Sequence, residues 1–498
     1  MLRLNESPMV FLKHCLTTLC YFSLLFGSFD LNAQLFIEAT NQLPAAASSG
    51  QSVDAKAVDI DGDGDLDVIL ANEFQPNILL LNNGSAVFTN AGMEAIPQAV
   101  HDSEDIAVAD FNQDGHTDIV FVSEDDFEHE YYFNNGNSTF SLASFLPFTS
   151  CNAVATGDLN RDGAPDVFLG NREQNMLLIN NGSGELINET PDRLPSLSDP
   201  THDVKLVDVD ADGDEDILLG SENGNLLMIN NGFGVFADES AWRLPQNLNI
   251  DTRKIVPADV DGDGDIDLFL ATVLFLPGKD PQNRLWLNDG KGYFTDETED
   301  RLPILPDQAV DGFFFDLDND GDQDLAVSGV LNQPLKFYIN QGDGFFQNRT
   351  NDVIGGTSVL TDSIDALAVL ATDFNGDGYA DIYLCNRAGQ DRLLLRDPNV
   401  QLTGGTAVQV VKDGHALFHV YPNPTASTFV LKGRELASIQ GALELTDLTG
   451  RSIAWLNPSS GGTLDEATYR LPPNLPGGTY LLRFTAANQL YALKLIRM

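Results

Sequence analysis

Residues 259–267 read Asp259-Val260-Asp261-Gly262-Asp263-Gly264-Asp265-Ile266-Asp267, and this pattern, Asp-x-(Asp/Asn)-x-Asp-Gly-x-x-Asp, decides the fold. It starts again at Asp59, Asp110, Asp158, Asp208, Asp316 and Asp373. A spacing of roughly fifty residues marks a repeat architecture. A short apolar or alternating segment precedes each loop, as in Ala55-Lys56-Ala57-Val58, and an apolar run follows it, as in Val68-Ile69-Leu70 and Leu268-Phe269-Leu270. A third run ends in Asn82-Asn83-Gly84 or Asn288-Asp289-Gly290. A tight hairpin with positive φ at both central residues is expected there. A fourth begins at an aromatic: Phe88, Phe140, Phe236, Phe294 or Phe346. Four strands per unit make a propeller blade, and no stretch keeps a 3.6-residue period. The expected fold is all-β: a seven-bladed β-propeller over residues 34–397, a linker over 398–417, and a small C-terminal β-sandwich over 418–498.

The chain ends predict closure of the ring. The last unit stops after Leu395 without its hairpin turn and fourth strand, while Phe36-Ile37-Glu38-Ala39-Thr40-Asn41-Gln42-Leu43-Pro44 repeats the pattern of Phe294 to Pro303. The N-terminal strand is expected to complete the last blade, burying two strand edges that would otherwise be exposed.

The loops have the donors calcium needs, six to eight oxygens in a flexible cage. Side-chain oxygens stand at position one (Asp59, Asp110, Asp158, Asp208, Asp259, Asp316, Asp373) and position three (Asp61, Asn112, Asn160, Asp210, Asp261, Asp318, Asn375). They recur at position five (Asp63, Asp114, Asp162, Asp212, Asp263, Asp320, Asp377) and position nine (Asp67, Asp118, Asp166, Asp216, Asp267, Asp324, Asp381). Position seven offers a backbone carbonyl, so its side chain varies: Asp65, His116, Ala164, Asp214, Asp265, Asp322, Tyr379. Up to seven Ca2+ ions are expected. An EF-hand is excluded, because its position-twelve Glu is replaced by Leu70, Phe121, Leu169, Leu219, Leu270, Val327 and Leu384.

These repeats resemble the FG-GAP or VCBS type of integrin α-chain propellers and bacterial surface proteins, over residues 35–397. Asp259 to Asp267 and Asp373 to Asp381 match best, and only Gly163-Ala164-Pro165 keeps the Gly-Ala-Pro signature, so the VCBS form fits better. The resemblance implies a seven-bladed propeller with calcium in the loop joining the first and second strands of each blade. The tail carries Tyr421-Pro422-Asn423-Pro424, Leu445 to Arg451, Gly478-Thr479-Tyr480 and a basic last strand at Lys494 to Arg497. It is similar to the C-terminal sorting domain of type IX secretion, which implies that machinery as a partner, outer-membrane passage, and surface anchoring or release.

Lys plus Arg number 27 against 74 Asp plus Glu, a formal charge of −47. Such a charge repels nucleic acid and anionic membranes. Residues 1–33 read as a secretory signal, with Arg3, Lys13, an apolar run from Leu16 to Phe29 and Ala33 before the cleavage point. No later stretch is long enough to span a bilayer. The expected location is secreted or on the outer cell surface. Cys15 and Cys20 fall in the leader, and Cys151 and Cys385 in distant repeats, which argues against a disulfide framework.

No nucleophile elbow, zinc-protease or phosphate-loop motif occurs. The expected function is a non-catalytic surface adhesion or ligand-binding module for a glycan or protein. The alternative is a calcium-dependent polysaccharide lyase or hydrolase on the same propeller. The ligand is placed on the face opposite the loops, where the first strands begin. Asp54, Asp105, Asp203 and Asp311, with Lys254 at the same offset and Asp365 nearby, are expected there as solvated strand ends, the alternative being acids that bind a cation or sugar hydroxyls. His101-Asp102 and His202-Asp203 are expected as exposed loop polarity, the alternative being a base–carboxylate pair near the central channel. Glu124 to Tyr132 and Thr272 to Asp280 are irregular connections on that face. Phe127 and Phe275 are their expected contact residues.

Overall fold

The computed structural model describes residues 35–402 except 49–50, 93–94, 98, 126, 145, 306–307, 332, 355–364, 388 and 401, and in the tail 418–421, 428–433, 439–446, 451–458, 466–486 and 489–497. The signal reading over 1–33, most of the linker, Pro422 to Thr425 and the turn at 447–450 lie outside them.

Among the described residues each acidic loop joins the first two strands of a four-stranded antiparallel sheet, giving seven such sheets. They are numbered here as blades in loop order. The first strands are Ser52–Val58, His101–Ala109, Cys151–Gly157, Thr201–Val207, Thr252–Ala258, Ala309–Phe315 and Ala366–Thr372. Each packs beside the next, and the last packs beside the first, so they form the inner wall of a closed ring. The final sheet is completed by Phe36–Glu38, which pairs with Arg392–Arg396 in the register Phe36↔Arg396. Thr40 Oγ1 then accepts the Leu393 N–H at 3.1 Å, as Thr298 Oγ1 accepts that of Leu285 at 2.9 Å. The N-terminal segment therefore reproduces its counterpart at atomic level. Blades 1 and 2 are also joined edge to edge, through Glu73↔Asp102 and Gln75↔His101.

Second strands such as Asp267–Thr272 are buried along their whole length. Their side chains alternate between the two seams, so the core is divided among the blade interfaces: Ile69, Ile106, Phe121 and Tyr132 fill the first. The tail forms two sheets, of three and four strands, over its own core of Leu431, Leu443, Leu445, Leu482 and Leu495. No helix among the described residues is long and apolar enough to cross a membrane.

The tight Asn-Gly hairpins are not found. Asn82 pairs with Phe88 and Asn180 with Leu186, leaving longer connections. Positive φ falls on Gly84 and Ala86, or on Gly182 and Gly184, and not on the residue before the first Gly. The first Asn organises the turn itself: Asn180 Oδ1 accepts the N–H groups of Gly182 and Gly184 at 3.0 and 3.1 Å.

Candidate metal centre and channel mouth

Backbone donors inside each loop orient its carboxylates. Asp59 Oδ1 accepts the Gly62 N–H at 2.8 Å and Oδ2 that of Gly64 at 3.1 Å. Asp110 does the same with Asp114 and Gly115, at 3.0 and 2.8 Å. Asp63 Oδ1 accepts the Asp65 N–H at 2.9 Å. The turn needs glycine at position six: Gly64 and Gly264 both have φ +96, a conformation costly for other residues.

Three carboxylate groups per site come within 4.8 Å of one another in four loops: Asp59/Asp61/Asp67, Asp208/Asp210/Asp212, Asp259/Asp261/Asp263 and Asp316/Asp318/Asp320. Asp210 Oδ1 and Asp318 Oδ1 are buried without a hydrogen-bond donor. Burial, then Asp320 and Asp316, pushes the Asp318 carboxyl up to about 6. Converging, donor-poor oxygens fit a hard cation that prefers oxygen ligands. In the other three loops Asn replaces one carboxylate, and in two of these its amide donates to the position-five acid: Asn112 to Asp114 at 3.0 Å and Asn160 to Asp162 at 2.9 Å.

Positions seven and nine do different work. The side chains of Asp65, His116, Asp214 and Asp265 lie against the hairpin glycines Gly84, Gly136, Gly232 and Gly290, which leaves their backbone for the loop. Position nine ties the loop to the third strand. Asp67 accepts the Ile60 N–H at 3.1 Å and the Asn82 N–H at 2.8 Å. The same pair of bonds recurs in every blade, down to Asp381 with Phe374 and Arg396. Burial outweighs these donors and pushes the carboxyls up, to about 6 in Asp67, about 7 in Asp267 and about 8 in Asp324.

The sequence reading missed the asparagine that ends the third strand. Asn134 Nδ2 donates to Ile60 O at 3.0 Å, Asn230 to Leu159 O at 2.9 Å and Asn340 to Val260 O at 2.7 Å, each time position two of the preceding blade's loop. Asn82 reaches Phe374 O at 2.8 Å and so latches blade 1 to blade 7. Its signal was an Asn in register at Asn82, Asn134, Asn180, Asn230, Asn288 and Asn340, replaced by Arg396 in the last blade.

The expectation of solvated strand ends is overturned. Asp54, Asp105, Asp203 and Asp311 are buried along the inner wall. A bulge precedes this position in every first strand, for example between Ser103 and Asp105, and re-aims the side chain. Asp105, Asp203 and Asp311 then cap the free inner-edge N–H of the next blade: Val154 at 2.9 Å, Ile255 at 2.8 Å and Val369 at 2.8 Å. The three donor blades carry Ala153, Lys254 and Ala368 at this offset. An odd ring cannot alternate throughout, so Asp54 and Asp105 fall in adjacent blades. Lys56 stands between them, 3.0 Å from Asp54 and 3.5 Å from Asp105. Burial, opposed by Lys56 and reinforced by Asp105, pushes Asp54 up to about 6. Burial would also raise Asp105, but Lys56 and Lys254 hold it well below the carboxylate range. Lys205 and Lys254 lie 2.7 and 3.5 Å from Asp203. Each acid thus has a cationic or backbone partner, which argues against this ring as a further cation site. Asp365 stands just before the last first strand, where its carbonyl accepts the Arg387 N–H at 3.0 Å.

The two His-Asp pairs lie in strands and not in exposed loops, again contrary to expectation. His202 faces Asp251 rather than Asp203: its Nε2 is 3.9 Å from Asp251 Oδ1. Both atoms are buried without a hydrogen-bond partner. Burial, Arg253 and Arg172 push His202 down to about 3, so it is neutral. Asp251 is 0% exposed and pairs through Oδ2 with Arg253 at 3.1 Å. The Arg253 guanidinium covers one face of Phe275, 4.9 Å from the ring centre, while Leu274, Phe275 and Leu276 remain exposed. The Val273 N–H bonds Asp251 O at 3.1 Å, which sets this ledge at the start of a first strand, opposite the acidic loops. Phe127 is also exposed, with φ 59.

A family model described as FG-GAP-like repeat matches residues 59–121, 110–169, 158–219, 208–270, 259–327 and 316–384. No curated protein matches the chain. Among solved structures, the chain is similar to an Agrocybe aegerita lectin described as recognising non-reducing terminal N-acetylglucosamine, at 18% identity and TM-score 0.42, covering 68% of this chain and 86% of that one. It is similar to BBS1N in complex with ARL6DN at 11% identity and TM-score 0.48, covering 74% and 99%. The extracellular domain of a putative hybrid two-component system from B. thetaiotaomicron is 12% identical with TM-score 0.46, covering 92% and 58%.

Proposed function

The chain belongs to the FG-GAP-like repeat family, and we propose that it is an exported, calcium-binding propeller acting as a non-catalytic surface module that binds a glycan or protein. The observation that carries the metal half is the pair of buried, donor-free oxygens, Asp210 Oδ1 and Asp318 Oδ1, each converging with two further acids. In each loop positions one, three and five would hold the ion, with the position-seven carbonyl and the remaining lone pairs of position nine. Bound calcium supplies charge neutralisation and rigidity. The residues themselves supply the turn, the tie to the third strand and the latch to the next blade.

The ligand half is supported by the opposite face. The Phe275 ledge and the His202–Asp251 pair share Arg253 as a neighbour. The exposed Leu274, Phe275 and Leu276 offer an apolar surface beside the Arg253 guanidinium, and the buried His202–Asp251 pair lies behind it. In this reading the β-rich tail serves type IX export, after which the propeller stands at or beyond the outer surface.

The test is a broad glycan array probed with the full chain in calcium and in chelator, with released sugar assayed in the same wells. Calcium-dependent retention without product supports the module. Released product overturns the non-catalytic reading in favour of a lyase or hydrolase. If no glycan is retained, the protein-ligand arm is tested by pull-down of surface proteins with the wild type and Phe275→Ala.

A further inference from the structure

Four loops carry Asp at position three, and two of these carboxylates already face a guanidinium. The connections after the fourth strands of blades 4 and 5 make one helical turn, Ser240–Arg243 and Thr298–Arg301, ending in arginine. Arg243 Nη2 stands 3.4 Å from Asp210 Oδ2, and Arg301 Nη1 3.5 Å from Asp261 Oδ2. Each arginine also grips the next blade. Arg243 donates to Lys291 O and lies 5.0 Å over the Tyr293 ring. Arg301 donates to Asp343 O and lies 4.9 Å over Phe345. The hairpin comes close enough that a Cβ on Gly292 would meet Arg243 Nη1 at 2.6 Å and the Val209 side chain at 3.0 Å.

The chain contains its own controls. In blades 1 and 6 the same register position holds Ala95 and Val353, and Arg349 of the blade 6 connection pairs with Asp352 instead, so no guanidinium from that position faces Asp61 or Asp318. In blade 3 the arginine is present but position three is neutral. There Arg193 bonds Phe233 O and Gly234 O, a strap with no carboxylate partner in the loop beside it.

We infer that Arg243 and Arg301 make loops 4 and 5 a weaker class of calcium site than loops 1 and 6, and couple ion uptake there to the seams with blades 5 and 6. This rests on the reading that the loops take calcium. A divalent ion held by the near oxygen of Asp210 meets the positive charge on its far oxygen. Even with water-like screening, two charges against one across a single carboxylate shift the equilibrium about tenfold. The arginine also holds the carboxylate in one rotamer, which helps binding, but fixing one side chain is a smaller effect. Coupling is reciprocal: an ion that draws on Asp210 weakens the hold of Arg243 on the strap, and a loosened strap favours the ion.

Hydrogen-exchange mass spectrometry of the full chain across a calcium titration reads each loop separately. In the wild type, peptides covering 59–67 and 316–324 gain protection at lower calcium than those covering 208–216 and 259–267. Arg243→Gln moves the 208–216 midpoint about tenfold lower and leaves 316–324 in place, while Arg243→Lys, which keeps the charge, leaves both. Arg301→Gln repeats the test on 259–267, independently of how R243Q folds. A common midpoint for all four loops overturns the inference but leaves the calcium reading intact. So does a midpoint that stays or rises when the charge is removed. No protection at any calcium concentration overturns both.

Discussion

Replacing Asn230 with Ala tests whether the asparagine latch holds the ring together. The side chain makes four hydrogen bonds: Nδ2 to Leu159 O at 2.9 Å and Glu215 O at 3.0 Å, and Oδ1 from Gly232 N at 3.1 Å and Gly234 N at 3.0 Å. The bonds to Leu159 O and from Gly234 N are buried. Losing an accessible bond costs about 1 kcal/mol, and a buried group left without a partner costs about 1–3 kcal/mol. The four together come to about 5 kcal/mol. In a domain of this size about 1–2 °C of Tm is lost per kcal/mol, so thermal unfolding at saturating calcium should begin roughly 5–10 °C lower. Asn231→Ala is the control. It is the next residue, exposed, and its side chain bonds only the turn amides of Phe233 and Val235. It should cost under about 1 kcal/mol. Equal Tm values for the two variants would refute the latch.

Calcium removal should lower Tm sharply: one ion at about ten times its Kd adds about 1.4 kcal/mol, and several sites add on the order of 10 kcal/mol, so an unchanged melting curve in chelator sinks the metal reading. In chelator the position-nine carboxyls give the pH dependence. Their folded pKa values, such as about 7 for Asp267 and about 8 for Asp324, lie above the ordinary 3.8. Raised values mean that the fold binds protons the unfolded chain releases. Their stabilisation is complete below about pH 4 and is lost as pH rises through roughly 6 to 8, so metal-free Tm should fall between pH 5 and pH 8; a rise would contradict the assignment. Gly292→Ala, at φ +75 with Arg243 Nη1 at 2.6 Å, should cost about 2–3 kcal/mol, against about 1 for Gly264→Ala, which has nothing within 4 Å; equal costs by denaturant titration would remove the close approach as its cause. Phe275→Ala should weaken ligand retention at least tenfold without changing Tm, and unaltered retention would move the ligand away from that ledge.

Much of the architecture was legible because its signals are local. The Asp-Gly loops, the apolar runs after them and the aromatic at the fourth strand each lie within one unit. Even ring closure could be read, since Phe36 to Pro44 repeats the pattern of Phe294 to Pro303. The tight hairpin was misread because Asn82-Asn83-Gly84 looks like a two-residue turn, whereas its first Asn is held in the strand by contacts elsewhere. The channel acids were misread because nothing in Asp105 alone tells that Val154 offers it a free N–H from another blade.

The β repeat, the Asp-Gly loops and the oxygen-bearing side chains at fixed offsets can be read along the chain, because backbone turns and alternating burial depend on neighbours a few residues apart. Only the tertiary structure decided the asparagine latches, the alternating channel caps, the His202–Asp251 pairing and the arginines over Asp210 and Asp261. Each joins groups tens to hundreds of residues apart, as Asn82 is from Phe374, and such contacts exist only once packing of the seams has closed the ring.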